Sequence, residues 1–380
     1  MTPSILKLAG VAQHYAWGDI ESIPSLLGRP ADGQPWAELW FGAHPSAPSP
    51  VDGETLDALV ERDPVATLGR TTIERFGGQL PFLLKVLAAA EPLSLQAHPT
   101  REQAIAGYER EAAAGLAIDD PARTYRDQNH KPEVLCALTT FDALCGFREP
   151  SVSAALLRDL DVDGLAPVID ALDADDLGAA IAWLLEDRDG RAIADAVAIA
   201  CARAGLAWTV PIASAHPGDL GLVTALLLHH VVLEPAEAIY LDAGTLHAYL
   251  HGTGIELMAS SDNVLRGGLT EKHVDRAELQ RLLVLAPSEP RIVRSEPAGA
   301  VMDVWRTPAP DFQLWRIEPG ATTVVDVAGP EIVLCIGGTA SISNTDASVE
   351  LASGEAAFVA AAAGSYVATA TGSLYRATVG

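Results

Sequence analysis

The sequence predicts a mainly β fold with a helical insertion: two jelly-roll β domains plus an α-helical domain. Three observations carry that expectation. Residues 7–99 and 231–269 alternate short apolar runs with Gly and Pro punctuation, and from residue 291 onward short strands recur with Gly, Ser and Thr turns, as in GPEIVLCIGGTASISN and LASGEAAFVAAAAGSYVATATG. Residues 151–230 instead turn to Ala, Leu and Asp with a period of about 3.6 residues. Regularly spaced short strands suit a double-sheet jelly roll, and the apolar period suits helices. The expected division is 1–150 with 231–285 as one discontinuous β domain, 151–230 as the helical insertion, and 286–380 as a second β domain.

Taken in order, residues 7–99 read as strands and loops apart from TLDALVERDPVATLG at 55–69, which has helical composition. REQAIAGYEREAAAG at 101–115 predicts a helix opened by a Thr100 cap and stopped by Gly115. NHKPEVLCAL returns to strand. Pro132 cannot donate a ladder hydrogen bond, so this strand should start at an edge or face a cavity there. VSAALLRDL, LGAAIAWLLEDR and GRAIADAVAIACARAG then supply the helical periodicity of the insertion.

Composition sets limits on function. The 380 residues are 49% hydrophobic and 20% charged, enough for a sizeable core and more than one domain. A formal net charge of -25 argues against nucleic acid as a partner, and any anionic ligand would need a local basic cluster. Cys136, Cys145, Cys201 and Cys335 lack paired CxxC spacing and fit buried positions in a reducing compartment. With no leader-like N-terminus and no apolar run of bilayer length, the expected location is the cytoplasm, with no membrane partner. Oligomeric state is left open between monomer and homo-oligomer.

The chemistry concentrates in three segments: SLQAHP, NHKPE and GTLHAYLHG. Residues two apart on a strand share a face, so Gln96 and His98 can grip one ion while Glu133 and His247 close its sphere from neighbouring strands. Two imidazoles, a carboxylate and an amide oxygen suit a borderline divalent ion, above all Zn2+, in a site that keeps room for substrate. By the same spacing Lys131, Tyr249 and Ser94 project beside Glu133, His247 and Gln96.

These segments and their surroundings resemble the type I phosphomannose isomerases, members of the cupin superfamily. The resemblance rests on YAWG at 15–18, AELWFGAHPSAPS at 37–49, LPFLLKVLAAAEPLSLQAHP at 80–99, YRDQNHKPEVLCAL at 125–138 and GTLHAYLHGTGIELMASSDNVLRGGLTEKHVD at 244–275. It implies that both β domains are cupin-like. It also implies a zinc-dependent aldose-ketose isomerase that interconverts D-mannose 6-phosphate and D-fructose 6-phosphate through an enediolate, linking hexose phosphates to mannose and GDP-mannose metabolism. No Gly-rich nucleotide loop of the bifunctional type II enzymes is present. YLDAG before His247, where the family often has Pro, and the Ala-rich insertion depart from the pattern without touching a proposed ligand.

Within that resemblance Arg266, in a Gly-flanked loop, matches the Arg treated as the active-site residue, with an ion pair to Asp262 as its structural alternative. Lys272, Lys85 and Ser94 would hold the phosphate. Glu256, a carboxylate inside an apolar run, should have a raised pKa suited to proton transfer, and Lys131 competes for that role. Trp17, Glu38, Tyr249 and Asp262 would line or brace the cavity. Two alternatives stand beside this: a metal-dependent cupin dioxygenase, which leaves the Lys and Arg set without a use, and a non-catalytic sugar-binding cupin.

Overall fold

The computed structural model describes residues 4–186 and 189–380. The apolar runs at 82–89 and 247–259 form the centre of an 11-stranded sheet. Its main path runs Arg291–Arg294, Glu237–Leu241, Glu133–Ala137, His247–Ala259, Phe82–Ala89, Glu38–Phe41, Val11–Gln13. Phe82–Ala89 is buried along its whole length. A strand covered on both faces needs continuous apolar residues, which is why FLLKVLAA does not alternate. Leu84, Val86 and Ala88 enter a core shared with Trp305, Phe312, Leu314, Phe358 and Tyr375, while Lys85 lies on the opposite face.

His247–Ala259 serves two sets of neighbours. Residues 252–259 pair with Phe82–Ala89, and residues 247–251 pair with Phe141–Phe147 and Gln96–Ala97. The register shifts between Tyr249 and His251, and Gly252 sits at φ 123°, where a Cβ would lie 2.7 Å from the Thr140 carbonyl oxygen. Glycine alone tolerates both demands. The bend delivers His247 opposite Gln96.

The C-terminal β region is a seven-stranded sheet facing a four-stranded one. Ile317, Val333, Val359 and Leu374 of the first interleave with Val325, Ile342, Leu351 and Tyr366 of the second. Strand pairing crosses the expected domain limits twice. Ile5–Leu8 pairs with Ala356–Val359, and Arg291–Arg294 pairs with Glu237–Leu241. Each segment satisfies its backbone on the sheet whose edge it reaches, whatever its place in sequence.

The insertion folds as Pro150–Asp159, Ala166–Asp173, Leu177–Leu185, Arg191–Arg203, Thr209–Ala215 and Gly221–Leu226 around a core that includes Leu157, Val168, Ile181 and Val197. The last two residues of LGAAIAWLLEDR lie outside the described residues. Helix ends where LHHVVL begins, because Leu228–Leu233 is a strand against Phe141–Phe147. Thr100 and Gln103 make a reciprocal capping box for Arg101–Ala113, and Gly115 follows at φ 80°. TLDALVERDPVATLG is two helices, split at Asp63, which caps the second at Ala66 N. Ser22–Leu26, Arg70–Phe76 and Arg276–Leu282 are helices that the sequence reading did not mark. Glu133–Ala137 is an interior strand starting just after Pro132, so the proline sits outside the ladder.

Candidate functional site

Buried His98, Glu133 and His247 bring ligand atoms within 4.8 Å of one another. Glu133 Oε1 is 3.2 Å from His98 Nε2, and Oε2 is 3.7 Å from His247 Nε2. Each ring turns Nδ1 to a backbone carbonyl: Asn263 O at 2.8 Å for His98 and Thr245 O at 2.9 Å for His247. With the hydrogen on Nδ1, both Nε2 lone pairs face the carboxylate, the tautomer a metal ligand requires. Burial lowers the pKa of both rings, His247 to about 4 with the neighbouring His98 adding to the effect, so the imidazoles are neutral near pH 7. Burial would raise Glu133, but Lys131, ahead of the two histidines, holds its carboxyl well below the usual range.

Acceptors aimed at one another in a buried space call for a cation between them, and His98 Nε2 has no hydrogen-bond partner among the described residues. Gln96, paired in register with His247, donates its Nε2 to Ser94 Oγ at 3.3 Å, which leaves Oε1 as its acceptor. The set of two nitrogens, a carboxylate and an amide oxygen fits a zinc-like ion.

Beside it lies a chain of charges on the cavity face of the central sheet. Lys131 Nζ is 2.9 Å from Glu133 Oε1. Lys85 Nζ is 3.0 Å from Glu256 Oε2 and 3.4 Å from Glu38 Oε1, and it lies over the Trp40 ring. Trp40 Nε1 donates to Glu38 Oε2 at 2.7 Å. Burial would lower the Lys85 pKa, but Glu256, Glu38 and Glu133 outweigh it and push it up. Glu256 is raised, by burial first and by the charges of Glu133 and Glu38 against the pull of Lys85. The Tyr249 ring lies 6.1 Å from that of His247, and burial, with Glu256 and Glu133, holds its phenol well above the ordinary range.

Lys85 therefore does not join Lys272 and Ser94 in one basic pocket. Buried between two carboxylates, its charge is already neutralised, whereas a phosphate clamp needs unpaired cations. The Glu256 carboxylate faces Lys85. Arg266, Lys272 and Arg126 have no carboxylate ion pair among the described residues and lie close enough to act on one another. Burial and then Arg126 lower the Arg266 pKa; burial, Arg266 and Arg126 lower that of Lys272. Such mutual repulsion marks a site that favours an anion. Arg266 lies opposite Gln96 on a short strand and, with Thr124 and His273, lines a small polar cleft.

Asp262 does not pair with Arg266. Its carboxylate faces His44 Nε2 at 3.5 Å and accepts from Ser46 Oγ at 3.1 Å. Trp17 packs on the cluster of Leu87, Leu93 and Tyr249 and stacks on exposed Tyr15. Sequence reasoning missed Arg126, His44, Tyr15 and Asn263, although all four stand inside the quoted motifs. Asn263 is fully buried and ties the site together: its Oδ1 accepts from the Arg126 and Asp127 backbone, its Nδ2 donates to Asp127 O and Asn129 O, and its carbonyl holds His98.

Residues 5–150 match the catalytic domain of phosphomannose isomerase type I. The Escherichia coli mannose-6-phosphate isomerase is 38% identical over 374 residues, covering 93% of this chain and 94% of the relative. The Homo sapiens enzyme of the same name is 30% identical, with 94% of each covered. A crystal structure of a zinc-bound mannose 6-phosphate isomerase superposes with a TM-score of 0.91 at 36% identity over 99% of both chains. With the catalytic-domain match and similarity along nearly the whole length, this chain belongs to the type I phosphomannose isomerase family.

Proposed function

We infer that this chain interconverts D-mannose 6-phosphate and D-fructose 6-phosphate at the centre built by Gln96, His98, Glu133 and His247. The observation that carries the inference is a buried, cation-demanding trio beside a raised-pKa carboxylate that an ammonium holds in place. Gln96, His98, Glu133 and His247 would hold Zn2+, which when bound would supply Lewis-acid polarisation of the sugar oxygens. Glu256 takes the proton from C2 of the open-chain aldose and returns it at C1, while Lys85, fixed by Glu38, keeps its carboxylate aimed. Lys131, whose Nζ lies 2.9 Å from Glu133 Oε1, serves as a donor to the developing oxyanion rather than as the base. Tyr249 supplies a hydroxyl donor beside them. Trp17 and Asp262 shape the rim, and Ser94 braces Gln96. Dioxygen chemistry gives these cations no role, and family membership sets aside a non-catalytic cupin.

The reading is tested by metal analysis with a coupled mannose 6-phosphate assay before and after chelation. Chelation should abolish turnover and zinc should restore it; full activity in metal-free protein would defeat it. We place the catalytic unit in residues 1–150 with 231–285, the helical insertion in 151–230 and the second cupin-like unit in 286–380, with Ile5–Leu8 joining the sheet of the second unit and Arg291–Arg294 the sheet of the first. No helix among the described residues is long and apolar enough to cross a membrane. The four cysteines are free and buried, which supports a cytoplasmic setting.

The unpaired cations give two expected results. Lys272→Ala and Arg126→Ala should raise KM for the sugar phosphate about tenfold to a hundredfold with little change in kcat, the scale of a charged hydrogen bond lost alike from ground and transition states. A fall in kcat at constant KM would move either residue to the reacting carbons. Arg266→Lys keeps charge but loses the planar fork. It should lower kcat by about tenfold to a thousandfold with zinc content intact. Normal kcat would make Arg266 a loop brace, and zinc loss would make it an organiser of the ligand shell.

A further inference from the structure

The C-terminal β region contributes no residue to the His98, Glu133 and His247 trio, yet among the described residues one of its buried acids contacts the NHKPE segment. Among the described residues two acids of that region are buried. Glu331 is consumed within its own unit by Arg376 and Tyr366. Asp311 points outward. One of its oxygens is 2.8 Å from His130 Nε2, and the other is 3.6 Å from Arg101 Nη2. Arg101 also donates to Asn129 Oδ1 at 3.0 Å. Two adjacent residues of NHKPE are thus held from one carboxylate, directly at His130 and through Arg101 at Asn129. The next residue is Lys131.

The carboxylate is itself mounted rigidly. Phe312 on one side is fully buried and Ala309 nearly so, in the core shared with Phe82 and Trp305. Arg75 donates to Pro310 O at 3.1 Å and to Gly380 O at 2.9 Å, pinning the loop from the first unit. Pro308 and Pro310 stiffen it further. A buried side chain on a braced loop fixes the direction of whatever it grips.

We propose that Asp311 is a positioning residue: through its hydrogen bond to His130 the second β unit sets the backbone from which Lys131 is presented to the reacting sugar. Lys131 needs such support because it emerges from an irregular segment just before the Glu133 strand, where no ladder hydrogen bonds hold it. The proposal rests on the reading of Lys131 as a donor at the reacting carbons.

The test uses the full chain loaded with zinc and reads kcat, KM, zinc per chain and Tm. Asp311→Ala should lower kcat about tenfold to a hundredfold, the usual cost of losing a support behind an active-site group, with KM changed by no more than about twofold and zinc retained. Asp311→Asn still accepts from His130 and should keep most of the turnover. In a His130→Ala background, Asp311→Ala should lower kcat by much less than it does alone, because only the longer route through Arg101 to Asn129 remains to be lost. A lowered Tm with normal kcat in Asp311→Ala would overturn the proposal and leave a purely structural contact. So would zinc loss, additive effects in the double variant, or an Asp311→Asn variant as impaired as Asp311→Ala. Lys131→Ala is the control: normal turnover there removes Lys131 from the reaction and the proposal with it. Impaired Lys131→Ala beside normal Asp311→Ala discards only the positioning role.

Discussion

His98→Ala is expected to strip the zinc and lower kcat by about a thousandfold or more, the scale of losing several kcal/mol of Lewis-acid stabilisation. His98 is the ligand with least freedom to be replaced. It is 1% exposed, its Nδ1 is fixed on Asn263 O, and its Nε2 has no other partner among the described residues. His247→Ala should behave alike, since its Nδ1 is held at Thr245 O and its ring faces the same carboxylate. Metal content measured beside activity separates ligand loss from misfolding, and thermal unfolding of the zinc-free wild-type chain gives the reference state. Cys136→Ala is the contrast. Burial drives its thiol up to about 12, it lies in the core between the two β units, and its loss should leave zinc and turnover unchanged. Full zinc occupancy in both His variants, or loss of zinc in the Cys variant, would reverse the ligand assignment.

The second large effect is expected at Glu256. Glu256→Gln preserves shape and can still accept from Lys85, but it cannot carry a proton between C1 and C2. The fall in kcat should be about a hundredfold to ten-thousandfold, the range for a general base, with zinc retained. The sign of the pH effect follows from the direction of its shift. Burial and neighbouring carboxylates raise the Glu256 pKa, so the group is protonated and unable to accept until the pH passes above the usual carboxylate range. The acid limb of the kcat profile should therefore lie above the ordinary carboxylate range and be missing from the residual activity of Glu256→Gln. Zinc measured at each pH separates this limb from protonation of the ligands. Retained kcat in Glu256→Gln would transfer the proton to Lys131.

Much of the site was legible in the sequence because its logic is local. Residues two apart on a strand share a face whatever surrounds them, so SLQAHP and GTLHAYLHG announce Gln96, His98 and His247 as cavity residues, and NHKPE places Lys131 beside Glu133. The Thr100 and Gln103 capping box and the period of the insertion are local in the same way. A run such as FLLKVLAA also declares itself as a buried strand, since only burial on both faces tolerates it.

Tertiary structure decided which charge meets which. Lys85 reads as a free cation in its own segment. Sheet order lays it between Glu38 and Glu256 from the two flanking strands, and burial turns it from a phosphate contact into the holder of a carboxylate. Arg126 stands in a quoted motif without any local mark of function, and only its nearness to Arg266 and Lys272 makes it part of an anion site. Asp311 meets His130 across a contact between two β units that no periodicity encodes. Local pattern fixes the face a side chain occupies, but an electrostatic role depends on partners and dielectric, and those exist only once distant strands have paired.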